Sequence, residues 1–344
     1  MRVDRLLVEA EAAVAAFVAG RPEYSVDACQ PANRGGTNRV IFGARAGEPG
    51  EAVVFKYFVT PQRWRHELAC LRHFGHTGLV PRVLECVPPR LLVLSRLPGH
   101  DLDLAGLDAA QVGALSREIG AALAVLAGTP LPAQAPGEDG YSVVRDFDPL
   151  LWGEDLRAVV ARYAAACRGI QRRVPAYRQP FFAGSLDLLE AQVEGLDRQR
   201  RVLFHEDIAN LRVEGARFRG FYDLEMCRLG TEAMQLGVAL GLCGPGGLDW
   251  GELVAGYQAG TGTELTPGDM LAALAMEHFY HWTRICWWGR WSGEPGAVER
   301  WRAAEDGAAA HGRAMRRACR VVRGGVPVEA WSGPPSASGP PGGG

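Results

Sequence analysis

The chain has 344 residues, a formal net charge of −2, 47% apolar residues and 22% charged residues. This globular composition excludes a fully disordered chain, and the near-zero net charge gives no general attraction to nucleic acid or to an anionic membrane. The apolar stretch at the start contains Glu9 and Glu11, whereas a signal peptide keeps carboxylates out of its apolar core. No apolar run reaches the roughly 18 residues of a membrane helix. We therefore expect a cytoplasmic protein that binds neither nucleic acid nor a membrane.

The eight cysteines are scattered along the chain, and none forms a C-x-x-C pair. This spacing is not that of a zinc site, and a disulfide framework is not expected in a chain of this length. We expect most of these cysteines to be small buried residues.

The basic residues are almost all arginine. Of the 37 basic residues only one is a lysine, Lys56 in the segment EAVVFKYF. Either this lysine is present by chance, or its position requires a compact ammonium instead of a planar guanidinium. Composition alone leaves both interpretations open.

The first hundred residues predict a small antiparallel sheet. Residues 4–19 have the apolar periodicity of a helix, and residues 61–74 predict a second helix that starts at Pro61. Turn residues and β-branched or aromatic runs predict five strands around this second helix. The strands are predicted before Arg34 and over 38–44, 52–58, 82–87 and 91–97.

The remainder of the chain predicts mainly helices. Long amphipathic stretches cover 109–127, 151–168, 183–198, 230–242, 250–259, 267–288 and 296–322, with a compact β segment over 201–225. The end of the chain is rich in Pro, Gly and Ser, which predicts disorder over 326–344. We therefore predict an α+β protein with a β-rich lobe over 1–97 and a helical lobe over 98–325.

The β segment brings three polar residues together. The strand over 201–204 leads to Asp207, Asn210 begins a second strand, and a third strand ends at Asp223. A hairpin of this kind could bring the three side chains to one edge. Mg²⁺ prefers such hard oxygen ligands, usually one or two carboxylates with phosphates and water.

This segment resembles the aminoglycoside phosphotransferase and choline kinase-like family, which has a protein-kinase-like fold. The family carries H-G-D-x-x-x-x-N and then an Asp in a phrase such as I-D-W. The counterparts here are His205-Glu206-Asp207, Asn210 and Tyr222-Asp223-Leu224.

Upstream segments match the same family in order and spacing. R-G-G-T-N-R-V, which contains Gly35, Gly36 and Thr37, resembles the family's nucleotide loop. Lys56 resembles its third-strand lysine, and Glu67 resembles its helix glutamate. The segment 91–102, with Ser95 and Leu97, resembles its last sheet strand and the link between lobes. The resemblance covers roughly residues 25–240.

The resemblance implies an ATP- and Mg²⁺-dependent phosphotransferase. Gly35, Gly36 and Thr37 would approach the ATP phosphates, Lys56 would bind phosphate oxygens, and Glu67 would fix Lys56. Backbone groups near Ser95 and Leu97 would meet the adenine. Asp207 would position the acceptor hydroxyl and accept its proton, while Asn210 and Asp223 would hold Mg²⁺.

Three positions depart from the family pattern. Asn210 follows Asp207 by three residues where the family has five, Glu206 replaces a Gly, and Gln235 stands where an Asp is common. Glu206 adds a carboxylate beside Asp207, and Gln235 removes a structural anchor. These departures leave room for a slow or inactive kinase.

The acceptor is less defined by the sequence. Residues 276–291 contain six aromatic residues, which form either a helix core or an aromatic wall for an acceptor with flat or apolar parts.

Three functions remain open. The first is a kinase of a small-molecule hydroxyl, with an antibiotic or another metabolite as acceptor. The second is a kinase of a peptide side-chain hydroxyl in natural-product maturation. The third is a nucleotide-binding pseudokinase that acts as a protein partner.

Overall fold

In the computed structural model, the chain forms two compact units. The residues that the structure describes are 2–28, 38–47, 51–131, 156–197, 199–244, 246–290 and 297–325. Of these, the first unit comprises the residues up to 103 and from 209 to 227, and the second comprises those from 104 to 208 and from 228 onwards. The division after residue 97 and the disordered tail over 326–344 stay predictions, and that tail lies outside the described residues.

The described part of the chain contains ten strands and nine α-helices. The strands are β1 (Tyr24–Ala28), β2 (Arg39–Arg45), β3 (Glu51–Tyr57), β4 (Val83–Val87), β5 (Leu91–Ser95), β6 (His100–Asp101), β7 (Arg201–His205), β8 (Leu211–Glu214), β9 (Arg217–Phe221) and β10 (Cys227–Thr231). The helices are α1 (Arg2–Ala19), α2 (Pro61–Phe74), α3 (Ala109–Gly128), α4 (Leu156–Arg173), α5 (Pro180–Asp197), α6 (Glu232–Leu240), α7 (Trp250–Thr261), α8 (Pro267–Arg290) and α9 (Ala297–Gly325).

A five-stranded sheet forms the centre of the first unit. Its strand order is β1-β2-β3-β5-β4, and every neighbouring pair is antiparallel. Because successive strand residues point to opposite faces, Phe55 and Lys56 lie on different sides of the sheet. Phe55 is fully buried in a cluster with Val14 and Phe17 of α1. Lys56 therefore lies on the face opposite α1.

Helix α2 begins where its sequence provides a cap. The hydroxyl of Thr60 accepts a hydrogen bond from the N–H of Arg63, and Pro61 occupies the first turn, where its missing N–H costs nothing. Trp64 then donates its indole N–H to the carbonyl of Leu91 on β5, at 3.0 Å. The cap and this bond fix the start of α2 beside the sheet.

A second sheet in the first unit has the order β6-β8-β9. The β8–β9 hairpin turns at Gly215, whose φ of 59° is one that glycine adopts without strain. The N–H of Phe221 bonds to the carbonyl of Leu79 at 2.8 Å, and the N–H of Tyr222 bonds to the carbonyl of Asn210 at 2.9 Å. These bonds fix the end of β9, where Asp223 follows.

The second unit is mainly helical, and glycines allow its helices to approach closely. A Cβ at Gly120 of α3 would lie 1.9 Å from the carbonyl oxygen of Leu253 on α7, and one at Gly256 of α7 would lie 2.1 Å from that of Arg117. Strands β7 and β10 form a two-stranded sheet in this unit. The backbones of α3 and α7 are therefore in direct contact.

Helix α3 is also the one helix, among the described residues, that is long and apolar enough to cross a membrane by length and composition. Nine of its residues are buried against the protein. Gln235 of α6, which is fully buried, donates a hydrogen bond to the carbonyl of Leu123 at 3.0 Å. The amide at position 235 thus ties α6 to α3.

Candidate active site

Lys56 lies at the centre of a cluster of charged side chains in the first unit. Its ammonium bonds to a carboxylate oxygen of Glu67 on α2 and to Oδ1 of Asp223, which follows β9. Lys56 and Glu67 are almost fully buried, whereas 34% of the Asp223 side chain is exposed. The salt bridge between Lys56 and Glu67 that the sequence predicts is present.

Asp223 has an unusual backbone. Its φ of 59° and ψ of 58° place it in the left-handed region, and no other non-glycine residue in the described part of the chain has a positive φ. This region is costly for most side chains but less so for Asp and Asn. Strain of this kind concentrates at functional sites. A left-handed turn at Asp223 redirects the chain from β9 into the 3₁₀ turn Leu224–Met226.

The electrostatics of the cluster keep the Lys56 ammonium charged. Burial disfavours the charged form of Lys56, but Asp223 and Glu67 outweigh it and raise the pKa of Lys56, so its ammonium stays charged. Burial, with the nearby Asp223 and Glu225 carboxylates, raises the pKa of Glu67 against the lowering effect of Lys56. One oxygen from each of Glu67, Asp223 and Glu225 lies within 4.8 Å of the others. These three carboxylates share two cations, the Lys56 ammonium and the Arg63 guanidinium that pairs with Glu225.

Asn210 lies beside Asp223, as the hairpin predicts. The bond between the Tyr222 N–H and the Asn210 carbonyl aligns the two ends of the β8–β9 hairpin. The amide nitrogen of Asn210 is 3.5 Å from Oδ2 of Asp223, to which it donates a hydrogen bond. Mg²⁺ is bound by carboxylate oxygens and by the oxygen atoms of side-chain amides, not by their nitrogens. The residue types predicted from the sequence therefore fit this metal, with the Asn210 amide nitrogen directed towards Asp223.

Glu225 is part of the cluster, and the sequence analysis missed it. Its Oε2 accepts a hydrogen bond from Nδ2 of Asn38 at 2.7 Å, and its Oε1 pairs with Arg63 of α2 at 3.1 Å. Glu225, Asn38 and Arg63 are all buried. One indication of this cluster was present in the sequence. Arg63 lies four residues before Glu67, so that both side chains lie on one face of α2.

Asp207 belongs to the second unit. Strand β7 delivers it, half-buried, to the turn that follows His205. Its neighbour Glu206 is buried and forms a salt bridge with Arg228 of β10. The extra carboxylate at position 206 is therefore neutralised by Arg228 within this unit.

The predicted nucleotide-binding residues are only partly described. Gly35, Gly36 and Thr37 lie outside the described residues. Ser95 ends β5, and both its N–H and its hydroxyl bond to Arg82. Leu97 is half-buried, and a Cβ at Gly220 would lie 3.0 Å from its side chain. The adenine contacts near Ser95 and Leu97 stay a prediction.

The aromatic segment of α8 is in part a helix core. Phe279 and Trp282 are buried, and the indole N–H of Trp282 donates to the hydroxyl of Ser185 at 2.8 Å. The Trp282 ring also contacts those of Tyr177 and Phe182. The side chains from residue 283 to the end of the segment lie outside the described part. The core interpretation therefore holds for Phe279 and Trp282.

A protein-family model described as "Phosphotransferase enzyme family" matches residues 28–274, which is more than half of the chain. No match was found among curated protein sequences. The family match extends over the segments that hold Lys56, Glu67, Asp207, Asn210 and Asp223.

Solved structures are similar over most of their length. The chain is similar to a macrolide 2′-phosphotransferase from Brachybacterium faecium, with 19% identity, 84% of this chain and 96% of that chain covered, and a TM-score of 0.55. It is similar to an ADP-bound aminoglycoside phosphotransferase, with 11% identity, coverage of 87% and 97%, and a TM-score of 0.57. It is also similar to a choline kinase from Cryptosporidium parvum, with 13% identity, coverage of 90% and 94%, and a TM-score of 0.54. At these identities the likeness shows the fold, and the predicted α+β, protein-kinase-like fold class is confirmed.

Proposed function

The chain belongs to the phosphotransferase enzyme family, and we propose that it transfers the γ-phosphoryl group of ATP to a hydroxyl group of a small molecule. The observation that carries the proposal is the buried Lys56, whose ammonium bonds to Glu67 and to Asp223 at once. Phosphoryl transfer requires positioning and charge neutralisation more than covalent chemistry by the protein. Lys56 supplies both, because Glu67 and Asp223 hold its charge in one place.

Each residue has a distinct role in this proposal. Lys56 binds phosphate oxygens of ATP, Glu67 orients Lys56, and Asp223 with Asn210 holds Mg²⁺. When bound, Mg²⁺ neutralises negative charge on the phosphate oxygens. Gly35, Gly36 and Thr37 let the backbone approach the phosphates, and backbone groups near Ser95 and Leu97 bind the adenine.

Asp207 acts on the acceptor. It orients the hydroxyl and accepts its proton as the oxygen attacks the γ-phosphorus. The new oxygen–phosphorus bond forms while the bond to the β,γ-bridging oxygen breaks, so that ADP leaves. The products are a phosphate ester and ADP, and the proton on Asp207 passes to solvent.

The acceptor class is proposed from chemistry and from the similar structures. Those proteins are named for macrolides, aminoglycosides and choline, which all carry hydroxyl groups. We propose an antibiotic or another hydroxyl-bearing metabolite as acceptor, in the cytoplasm, where ATP and Mg²⁺ are available. If the acceptor is an antibiotic, expression of the chain will raise resistance to it in a susceptible host.

Two other functions remain as alternatives. A kinase of a peptide side-chain hydroxyl would use the same residues with a different acceptor. A pseudokinase would explain the short spacing between Asp207 and Asn210. The presence of Lys56, Glu67, Asp207 and Asp223 together favours an enzyme, because a chain released from catalysis need not keep all four residue types.

The proposal is tested first by nucleotide binding and then by turnover. We expect millimolar Mg·ATP to raise the melting temperature, because a ligand that binds only the native state stabilises it. GTP, and ATP with EDTA, are the comparison ligands. ATP consumption is then measured against a panel of antibiotics, amino alcohols and hydroxyl-bearing peptides. A melting temperature that Mg·ATP and Mg·GTP both leave unchanged would overturn the proposed function, and stabilisation with turnover only on peptides would establish the first alternative.

A further inference from the structure

One face of helix α2 carries buried residues that meet one short segment of the chain. These residues are Arg63, His66, Glu67 and Cys70, which follow the spacing i, i+3, i+4 and i+7. That spacing places them on one side of the helix. The segment comprises residues 223–227, at the end of the β8–β9 hairpin, and two of the four residues bond to it directly.

The contacts of this face are specific. Arg63 pairs with Glu225 at 3.1 Å, and Nε2 of His66 lies 2.7 Å from the carbonyl oxygen of Cys227. Glu67 reaches Asp223 through the shared ammonium of Lys56. Cys70, one turn after His66, is fully buried. Helix α2 is thus joined to the segment 223–227 directly by Arg63 and His66, and through Lys56 by Glu67.

Glu225 connects this face to a third element. While its Oε1 meets Arg63, its Oε2 accepts from Asn38, which immediately precedes β2. Oδ1 of Asn38 in turn accepts a hydrogen bond from the N–H of Val59, between β3 and α2. A single buried carboxylate therefore links the start of β2, the start of α2 and the segment that carries Asp223.

We propose that Glu225 is a positioning residue, which holds α2 and the start of β2 against the Asp223 segment so that Lys56 meets both Glu67 and Asp223. The inference rests on the proposed phosphotransferase function for its effect on turnover.

The competing role for Glu225 is that of a metal ligand. One of its oxygens lies within 4.8 Å of oxygens from Glu67 and Asp223, which makes this role worth testing. Both of its oxygens, however, already accept hydrogen bonds from buried donors, namely Asn38 and Arg63. A carboxylate used twice in this way is suited to holding two elements and less suited to binding a cation.

The first experiment compares Glu225→Gln with the wild type by amide hydrogen exchange and by basal Mg·ATP hydrolysis. We expect exchange within residues 64–74 to accelerate by roughly tenfold, because the start of α2 loses its ionic contact. We expect kcat to fall roughly 10–100-fold through misplacement of Lys56, with the Mg²⁺ half-saturation concentration unchanged within about twofold. The matched control is Arg72→Gln, an exposed change on the same helix that leaves exchange, kcat and Mg²⁺ dependence as in the wild type.

Two results would overturn the inference. Unchanged exchange together with an unchanged kcat would show that Glu225 positions nothing. A rise in the Mg²⁺ half-saturation concentration comparable to that of Asp223→Asn would identify Glu225 as a metal ligand. A wild type that neither binds nor hydrolyses Mg·ATP contradicts the proposed function instead, and the exchange measurement still decides the positioning role.

Further variants keep the test decisive if Glu225→Gln does not fold. Arg63→Lys retains a cation for Glu225 and is expected to keep more turnover than Arg63→Gln, with the same Mg²⁺ dependence. Asn38→Ala removes the other contact of Glu225 and is expected to accelerate exchange in β2. Equal turnover of the two Arg63 variants, together with unchanged exchange in Asn38→Ala, would contradict the proposal.

Discussion

Lys56 occupies a position at which arginine is a poor substitute. Its compact ammonium fits between Glu67 and Asp223, whereas a guanidinium is larger, planar and binds in a fork. The rest of the chain shows that arginine is otherwise the preferred basic residue, with one lysine among 37 basic residues. The site therefore selects for the shape of the cation as well as for its charge.

We expect Lys56→Arg to retain the fold and to lower ATP turnover by roughly 100-fold, because the fork cannot keep both carboxylate contacts in the same geometry. Steady-state kinetics with Mg·ATP will measure this. Arg72→Lys is the matched reverse exchange at an exposed position of α2 and should keep wild-type kinetics. Equal rates for Lys56→Arg and the wild type would contradict the assigned role of Lys56.

The two aspartates should respond differently to the same substitution. Asp207→Asn is expected to preserve Mg·ATP binding and to reduce turnover roughly 10²–10⁴-fold, which is the usual contribution of a positioned acid or base. Asp223→Asn is expected to raise the Mg²⁺ requirement as well, because it removes the carboxylate proposed to hold the metal. Asn tolerates the left-handed backbone of Asp223, so the fold should persist.

Mg²⁺ titrations of ATP hydrolysis and of ATP-induced stabilisation distinguish these outcomes. A pseudokinase would show unchanged nucleotide binding and no turnover to lose in Asp207→Asn. The same Mg²⁺ requirement in both variants would contradict the division of roles between Asp207 and Asp223.

Some of the site could be predicted from single residues, and some could not. The pairing of Lys56 with Glu67 follows from one strand, one helix and the family pattern. Glu225 could not be found this way, because its partners Asn38 and Arg63 are distant in sequence and lie together only in the folded unit. The left-handed backbone of Asp223 likewise depends on how β9 is fixed to Leu79.

At the scale of elements, the close approach of α3 and α7 depends on glycine. Gly256→Ala is expected to destabilise the fold by roughly 1–3 kcal/mol, because its Cβ would meet the backbone of Arg117, which cannot move aside. The gain of about 1 kcal/mol in helix propensity does not offset this clash. Chemical denaturation will measure the free energy of unfolding.

Gly113→Ala, in the interior of α3, is the matched control. Its Cβ would come no closer than 3.4 Å to its nearest neighbour, the flexible side chain of Glu252. This change should be neutral or stabilising, by up to about 1 kcal/mol. Destabilisation by Gly113→Ala and Gly256→Ala alike would show that the glycines matter for a reason other than helix contact.

The order of the elements could be predicted better than their ends. The five sheet strands and the helix after β3 follow from turns and apolar patterns, but two short strands were missed. Strand β6 has only two residues, His100 and Asp101, and β10 contains an Arg and a Gly that weaken its local pattern. Both strands exist because distant partners, β8 and β7, supply their hydrogen bonds. The sequence predicts that the β segment ends at residue 225 and that the next helix begins at residue 230, whereas β10 extends to Thr231 and α6 begins at Glu232. The pairing of β10 with β7 accounts for this difference as well.

At the scale of the whole molecule, stability should depend on the buried His278. Burial and, less strongly, the nearby His281 lower its pKa to about 3. In the unfolded chain this histidine titrates near its ordinary value, so the unfolded state alone takes up its proton as the pH falls below about 6.5. The stabilising contribution is thus complete above that pH and is lost progressively as the pH falls towards 3.

We expect His278 to contribute a loss of about 1.4 kcal/mol in the free energy of unfolding for each pH unit between roughly 6 and 4. His278→Gln should remove that slope, and His100→Gln, at an exposed position, should leave it as in the wild type. Denaturation curves at a series of pH values will compare the three proteins. Parallel curves for the wild type and His278→Gln would contradict this assignment.

The burial of the one lysine has a consequence for covalent labelling. Lys56 is the one lysine that reagents acylating primary amines can modify, and it is 5% exposed with its ammonium paired to two carboxylates. A protonated, shielded amine reacts slowly, so Lys56 should acquire label only when its carboxylate partners release it. Acylation at this position, followed by mass spectrometry, would then record how often the cluster of Lys56, Glu67 and Asp223 opens, without competing signal from any other lysine.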